Sequence, residues 1–339
     1  MNDNVIPQAD VSKMQVAVLL GGRSREREVS LKSGAAVLAS LQRQGIAATG
    51  LDPHLLGHQL LTVLSRYDRV FIALHGREGE DGEIQGILEY LRIPYTGSGV
   101  QASAMAMDKS ITKRLWRSVG LPTPASYLLD AEEVRIAANK SEALQALVVS
   151  SQAAGLSFPW IAKPVGEGSS LGMMKINDAT DLHNALQHLQ SFSQPVLLEK
   201  WITGNEYTVA IVGDKVLPSI NIKTTRQFYD YVAKYLTDDT QFNCPSGLSK
   251  EDESLLSKLA WRAFHALGCQ GWGRVDVIRD QQGEFNLIEV NTIPGLTDHS
   301  LVPMAAKAAG IAFDELVLTI LQQASLKAPP FVVVMPPVA

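Results

Sequence analysis

Apolar residues along the chain follow two rhythms. Short runs of period two, or unbroken apolar runs bounded by glycine or proline, predict strands at Gln15–Leu20, Arg69–Leu74, Phe158–Ala162, Met174–Ile176, Pro195–Leu198 and Glu206–Val212. Spacings of three and four predict helices at Leu31–Leu41, Glu83–Leu91, Lys109–Val119, Glu132–Gly155, Asp178–Gln190 and Ser249–Leu267, with two more near Pro303–Ala309 and Phe313–Gln323. Strand, glycine turn and helix follow one another over Gln15–Leu41, the opening of an α/β domain. Ile93–Gly99 reads as a short strand and turn, and Pro122 and Pro124 mark a connector.

The most informative pattern is a hairpin within Gly271–Leu296. Two alternating runs, Gly273–Arg279 and Glu284–Asn291, flank the turn Asp280-Gln281-Gln282-Gly283. With a side-chain period of two, Arg274 and Asp276 share one face, as do Glu289 and Asn291. A symmetric turn pairs Asp276 with Leu287 and sets Glu289 on the next diagonal of that face. Two carboxylates, one amide oxygen and one guanidinium then stand together. A few oxygen ligands suit Mg²⁺, which completes its shell with water and nucleotide phosphates. The same spacing also suits a solvated hairpin with a surface ion pair, because a one-residue slip separates the ligands.

Three loops add candidate chemistry. His75-Gly76-Arg77-Glu78-Gly79-Glu80-Asp81-Gly82 follows a strand, where open α/β sheets bind ligands. Lys163–Met173 is a glycine loop between two extended runs, so it reads as a hairpin tip and lacks the Walker pattern. Its glycines and hydroxyls can still close over phosphates through backbone N–H groups, with Lys163 supplying a positive charge. Thr224–Pro245 is long, aromatic and polar, with Lys234-Tyr235 at its centre, and reads as a lid or binding loop, the alternative being a surface-exposed two-stranded excursion.

Composition narrows the classes. At 339 residues two or three domains are expected. The formal charge of −5 leaves no basic footprint for nucleic acid or an anionic membrane. Cys244 and Cys269 are the only cysteines and no CxxC occurs, which fits a reducing cytoplasm. The first residues lack a basic segment followed by an apolar run, so no signal peptide is expected. No apolar run reaches the ~18 residues of a membrane span.

Taken in order, the motifs resemble one family. They are Gly21-Gly22 with Glu26-Arg27-Glu28-Val29-Ser30, His75-Gly76, Met107-Asp108-Lys109, and Lys163-Pro164 with Glu167-Gly168-Ser169-Ser170. Glu199-Lys200-Trp201, Ala233-Lys234-Tyr235, Gly273-Arg274-Val275-Asp276 and Glu289-Val290-Asn291-Thr292 continue the set. Together they resemble the D-alanine–D-alanine ligases, from about Met14 to about Leu321. The resemblance implies the α/β ATP-grasp fold in three domains: 14–104 with a parallel sheet, 105–203 in the centre, and 204–325 with an antiparallel sheet. Residues 1–13 are then an extension and 326–339 a Pro-rich, poorly ordered tail.

The resemblance also implies roles. Two D-alanines would be joined at the expense of ATP, through an acyl phosphate, for a peptidoglycan precursor. Asp276, Glu289 and Asn291 would hold two Mg²⁺ or Mn²⁺ ions against the β- and γ-phosphates. Lys109, Lys163, Lys234 and the Ser169 loop would meet phosphates. Glu199, Lys200 and Trp201 would line the adenine slot, mainly through backbone groups, and Glu206 would accept from the ribose. Glu26 would pair with the first D-alanine's ammonium and join Ser170 and Tyr235 in a hydrogen-bonded set. Arg274 and the Gly295 N–H would form the oxyanion site. Ser300 and the Leu301 N–H would grip the second D-alanine's carboxylate, with His75 nearby. In relatives that make D-alanyl–D-lactate a Phe commonly stands where Tyr235 does, so an amine acceptor is implied here. A homodimer in the cytoplasm, without nucleic-acid or membrane partners, completes the expectation. The alternatives are another ATP-grasp carboxylate–amine or depsipeptide ligase, and a nucleotide-binding module without turnover.

Overall fold

A computed structural model describes residues 11–168, 170–224, 240–297 and 300–327. Ser169, Lys234, Tyr235, the first ten residues and the Pro-rich stretch from 328 onward lie outside the described residues.

A parallel sheet comes first. β1 (Gln15–Leu19) lies between β2 (Ala47–Leu51) and β3 (Arg69–Ile72). Helix α1 (Arg27–Arg43) makes the crossover and begins a full turn before Leu31, because Glu26 takes its N-cap position. β2 was not predicted; its sequence, AATGL, has one buried residue and no apolar alternation. The Ile93–Gly99 stretch contributes only isolated bridges, from Tyr95 to Val70 and to Ser325. α2 (Glu83–Tyr90) follows the second glycine loop, and α3 (Val100–Met107) and α4 (Lys109–Ser118) lead out of this region.

The second sheet is antiparallel, in the order β4 (Ser126–Leu129), β7 (Val196–Lys200), β5 (Trp160–Pro164), β6 (Met174–Ile176). The glycine loop joins β5 to β6 as a hairpin, as its sequence implies. The helical stretch read as Glu132–Gly155 is two helices, α5 (Ala131–Asn139) and α6 (Ser141–Ala153). The chain turns extended at Lys140, so both helices bring small apolar faces to one core, shared with α7 (Ala179–Leu189).

The third sheet runs β11 (Thr240–Asn243), β10 (Ile220–Thr224), β8 (Gly204–Val212), β12 (Trp272–Asp280), β13 (Phe285–Asn291), with β9 (Lys215–Val216) on β8. One face, with Val209, Ile211, Val275, Val277, Leu287 and Val290, packs on α8 (Lys250–Ala266). The opposite face is divided. Its upper part, with Ala210, Val212, Ile220 and Trp272, shares a core with the parallel sheet. Its lower part carries the polar side chains. After the last strand, α9 (Leu301–Ala308) and α10 (Phe313–Gln322) return to that shared core, and Asp314 pairs with Arg43 of α1 at 2.6 Å. Of the expected tail, Lys327 is packed, its backbone N–H donating to Glu89 at 2.6 Å.

The hairpin register differs from the symmetric one. Asp276 pairs with Glu289 and Arg274 with Asn291, while Leu287 pairs with Val277. Ile288 is the extra residue of a β-bulge between these pairs. Leu287 is fully buried, so it is held on the apolar face, and the bulge rotates Glu289 onto the polar one. Among the described residues no helix is long and apolar enough to cross a membrane.

Candidate active site

Loops at the carboxyl ends of β1 and β3 form the first wall of the site. Ser30 Oγ accepts from the Gly21 N–H and donates to the Ala73 carbonyl, both at 2.8 Å. Ser24 Oγ donates to the His75 carbonyl at 2.6 Å. Arg27 donates to the Gly22 carbonyl at 2.7 Å and pairs with Asp52 at 2.6 Å. These ties fix the Glu26 backbone, and its carboxylate faces a cavity of about 230 Å³ lined also by Arg23, Gly76, Met107, Gly166, Gly168 and Leu171. A Cβ on Gly76 or on Gly168 would stand 2.7 or 2.6 Å from Glu26 Oε2, so only glycine lets both backbones press on that carboxylate.

The glycine loop is pinned over this cavity. Lys109 Nζ donates to the Glu167 carbonyl at 2.8 Å, and Gln194 donates to Glu167 Oε1 at 2.9 Å. Ser170 follows with a left-handed φ of 59°. The hydrogen-bonded set expected with Tyr235 lies partly outside the described residues.

His75 is buried and bonded on both nitrogens. Nδ1 lies 2.8 Å from the Ile293 carbonyl and Nε2 lies 3.0 Å from Ser33 Oγ. A carbonyl only accepts, so Nδ1 carries the proton, and burial keeps the ring neutral by lowering its pKa. Ser33 then donates to Nε2 and accepts from the Leu296 N–H at 3.2 Å. His75 thus holds the turn that carries Gly295. Glu80, 4.0 Å from Nδ1, was not singled out in the sequence. Burial and the neighbouring Glu26 charge push its carboxyl up to about 8, so near neutral pH it is protonated.

The polar face of the hairpin is tightly wired. Arg274 Nε and Nη2 each donate to one oxygen of Asp276, at 2.8 Å. Thr208 Oγ1 donates to Asp276 Oδ1 at 2.6 Å, and Asn291 Nδ2 to Oδ2 at 3.0 Å. Lys109 Nζ stands 3.6 Å from Glu289 Oε2. Two carboxylates and an amide oxygen, with cationic groups held against both carboxylates, form a donor set that fits a hard divalent ion. Glu206 lies on the same face, two residues before Thr208 on β8.

Beyond Glu289, the central sheet holds a buried triad. Lys163 Nζ lies 3.1 Å from Glu199 Oε1, and Lys113 Nζ lies 2.6 Å from Oε2. The Glu199 side chain is therefore engaged inside the fold, whereas the resemblance implies an adenine contact made mainly through backbone groups. The Lys200 and Trp201 N–H groups donate to the Ala125 and Pro159 carbonyls at 2.9 and 3.0 Å, so these two amide donors are already spent. Lys175 Nζ sits 4.5 Å above the Trp201 ring. Ser300 takes the N-cap position of α9, next to Leu301, and its Oγ accepts from the Thr297 N–H at 2.9 Å. Ser300 Oγ would lie 3.0 Å from a Cβ on Gly295, which brings these two candidates together.

Residues 115–322 match the family described as D-ala D-ala ligase C-terminus, and residues 52–98 match D-ala D-ala ligase N-terminus. A D-alanine–D-alanine ligase of Alcanivorax borkumensis is 53% identical over 310 residues, covering 91% of this chain and 94% of that one. One from Stutzerimonas stutzeri is 53% identical over 311 residues, with 91% and 93% covered. The crystal structure of the Bacillus anthracis D-alanine–D-alanine ligase complexed with ATP has a TM-score of 0.76 at 30% identity, with 91% of this chain and 97% of that one covered. VanG, the D-Ala:D-Ser ligase of Enterococcus faecalis, scores 0.75 at 29% identity, with 90% and 98% covered.

Proposed function

The chain belongs to the D-alanine–D-alanine ligase family, with its ATP-grasp fold, and from that premise we propose that it joins two D-alanines using ATP. ATP phosphorylates the carboxylate of the first D-alanine; the amine of the second attacks the acyl phosphate; ADP and phosphate leave. The observation that carries this reading is the lysine bridge. Lys109 spans from the glycine loop, at Glu167, to the ligand-bearing strand, at Glu289. A triphosphate lying along that bridge would have its last phosphate near Glu26, where the amino acid binds.

Each residue then has one task. Glu26 holds the first ammonium, with Ser170 and Tyr235 closing the loops around it. Arg274 and the Gly295 N–H stabilise the oxyanion of the tetrahedral centre. Ser300 and the Leu301 N–H, at a helix start, hold the second carboxylate, and His75 positions that turn. Lys163, Lys234 and the Ser169 backbone hold phosphates; Glu199, Lys200 and Trp201 flank adenine; Glu206 meets the ribose. Asp276, Glu289 and Asn291 would hold two Mg²⁺ or Mn²⁺ ions, which supply charge neutralisation at the β- and γ-phosphates. On this reading the chain divides at 14–104, 105–203 and 204–325, works in the cytoplasm on a peptidoglycan precursor, and pairs as a homodimer.

Water must be kept from an acyl phosphate, which explains why a pinned loop covers the cavity. The test is phosphate release from ATP and Mg²⁺ with D-alanine, run beside mixtures that add D-lactate or D-serine. D-alanine-dependent phosphate with dipeptide as product is expected. Phosphate that needs D-lactate or D-serine would assign a different acceptor, and no D-alanine dependence would remove the reading.

A further inference from the structure

The Lys113–Glu199–Lys163 triad carries one charge too many. Its side chains are 0%, 3% and 3% exposed, yet two ammonium groups share one carboxylate. A buried net positive charge is costly unless an anion arrives to meet it. The two lysines are not equivalent. Lys163 is the penultimate residue of β5, at the root of the glycine loop, and its contact is Glu199 Oε1. Lys113 is on α4 and also donates to Thr123 Oγ1 at 2.8 Å. Thr123 in turn donates to the Leu287 carbonyl at 2.8 Å, and the Leu287 N–H donates to the Pro122 carbonyl at 2.9 Å. Lys113 is thus tied, through the connector, to the residue beside the bulge that aims Glu289.

We propose that Lys113 is a positioning residue for the nucleotide: the permanent counter-ion of Glu199, which allows Lys163 to leave that carboxylate for a phosphate. The proposal rests on the assignment of Lys163 to a phosphate made above. Were Lys163 the sole partner of Glu199, its departure would strand a buried carboxylate, and the nucleotide would have to overcome that loss. With Lys113 in place the carboxylate stays paired and the surplus charge is free to move. Lys113 is suited to stay because Thr123 and the connector anchor it. Burial pushes its ammonium down to about 8 against the pull of Glu199, with Lys163 and Arg117 adding to the push. It therefore still carries its proton near neutral pH.

The experiment is a cycle of variants of the full chain, K113M, K163M, E199Q and their pairs. ATP–Mg²⁺ affinity is measured by calorimetry without D-alanine, and the KM for D-alanine is measured separately. K163M and K113M should each weaken ATP by about tenfold, the loss of one charged phosphate contact. Because Lys163 is already locked to Glu199 in K113M, the K113M/K163M pair should be hardly weaker than either single variant. In the E199Q background no carboxylate remains to neutralise, so adding K113M should leave ATP affinity within about twofold. The KM for D-alanine should hold steady across K113M. Should K113M fail to fold, E199Q and K113M/E199Q, which leave no buried carboxylate without a partner, still decide the matter. Losses that multiply in K113M/K163M, or a tenfold loss on adding K113M to E199Q, would overturn the proposal. Failure of the ligase assignment is seen separately, as native protein that binds ATP without D-alanine-dependent phosphate release.

Discussion

Leu287 and Glu289 stand two residues apart on one strand yet face opposite sides of the sheet. Leu287 pairs with Val277 on the apolar face, and Glu289 pairs with Asp276 on the polar one, because Ile288 bulges between them. The two positions should therefore respond in opposite ways. Leu287→Ala should cost about 2–5 kcal/mol of stability, as for a buried leucine. Glu289→Ala should cost less than about 1 kcal/mol, the range of a partly exposed ion pair, while abolishing most turnover. Denaturant unfolding with parallel activity assays measures both. Comparable destabilisation by the two would mean the bulge is misplaced.

Arg274→Ala should lower turnover by roughly 10²–10³ with ATP still bound, the effect of one lost oxyanion donor. Arg274→Lys should recover little, because a lysine cannot reproduce the two-point contact with Asp276 at 2.8 Å. Steady-state kinetics with separate KM values for ATP and D-alanine check this. Native turnover in Arg274→Ala would reassign the residue.

Gly168→Ala tests the cover over Glu26. The added Cβ would stand 2.6 Å from the carboxylate, so either the loop or Glu26 must shift. The KM for the first D-alanine should rise while ATP affinity holds. Gly86→Ala is the control: it lies in α2 with nothing within 4 Å of the new Cβ, and should gain up to about 1 kcal/mol from helix propensity. An unchanged D-alanine KM in Gly168→Ala would argue against the Glu26 assignment.

Glu80 predicts how stability depends on pH. Burial and the Glu26 charge raise its carboxyl from 4.5 to about 8 in the fold. The folded chain then holds a proton that the unfolded chain has lost, so this contribution is complete below 4.5 and declines as pH rises towards about 8. His75 acts in the other direction: burial depresses its pKa below 6.5, so its contribution is lost as pH falls from there. The melting temperature of the native chain relative to that of Glu80→Gln should be highest at low pH and fall as pH rises from 4.5 towards about 8. A difference between them that stays constant from acid to pH 8 would contradict the Glu80 environment.

Much of this was legible from residue order. Extended runs flank the glycine loop and imply a hairpin, and the side-chain period places Arg274, Asp276, Glu289 and Asn291 on one face. The bulge departs from a symmetric hairpin, and its trace in the sequence is that Phe285, Leu287 and Val290, all buried in one core, break the period of two. Lys113 also left a trace. Lys109, Thr112, Lys113 and Trp116 share helical spacing and are all buried, so a lysine on that stripe needed a partner. Glu80 left none, since its pKa depends on Glu26, a residue 54 positions away that only the fold brings close. Single runs report local periodicity; charges that meet across loops do not enter it.

The central claim, transfer of the ATP γ-phosphoryl group to a D-alanine carboxylate, is tested most directly with oxygen label. D-Alanine carrying ¹⁸O in both carboxylate oxygens is turned over with ATP and Mg²⁺, and the phosphate is examined by mass spectrometry. One labelled oxygen per phosphate, formed in step with dipeptide, is the predicted result. Unlabelled phosphate accompanying dipeptide would contradict it.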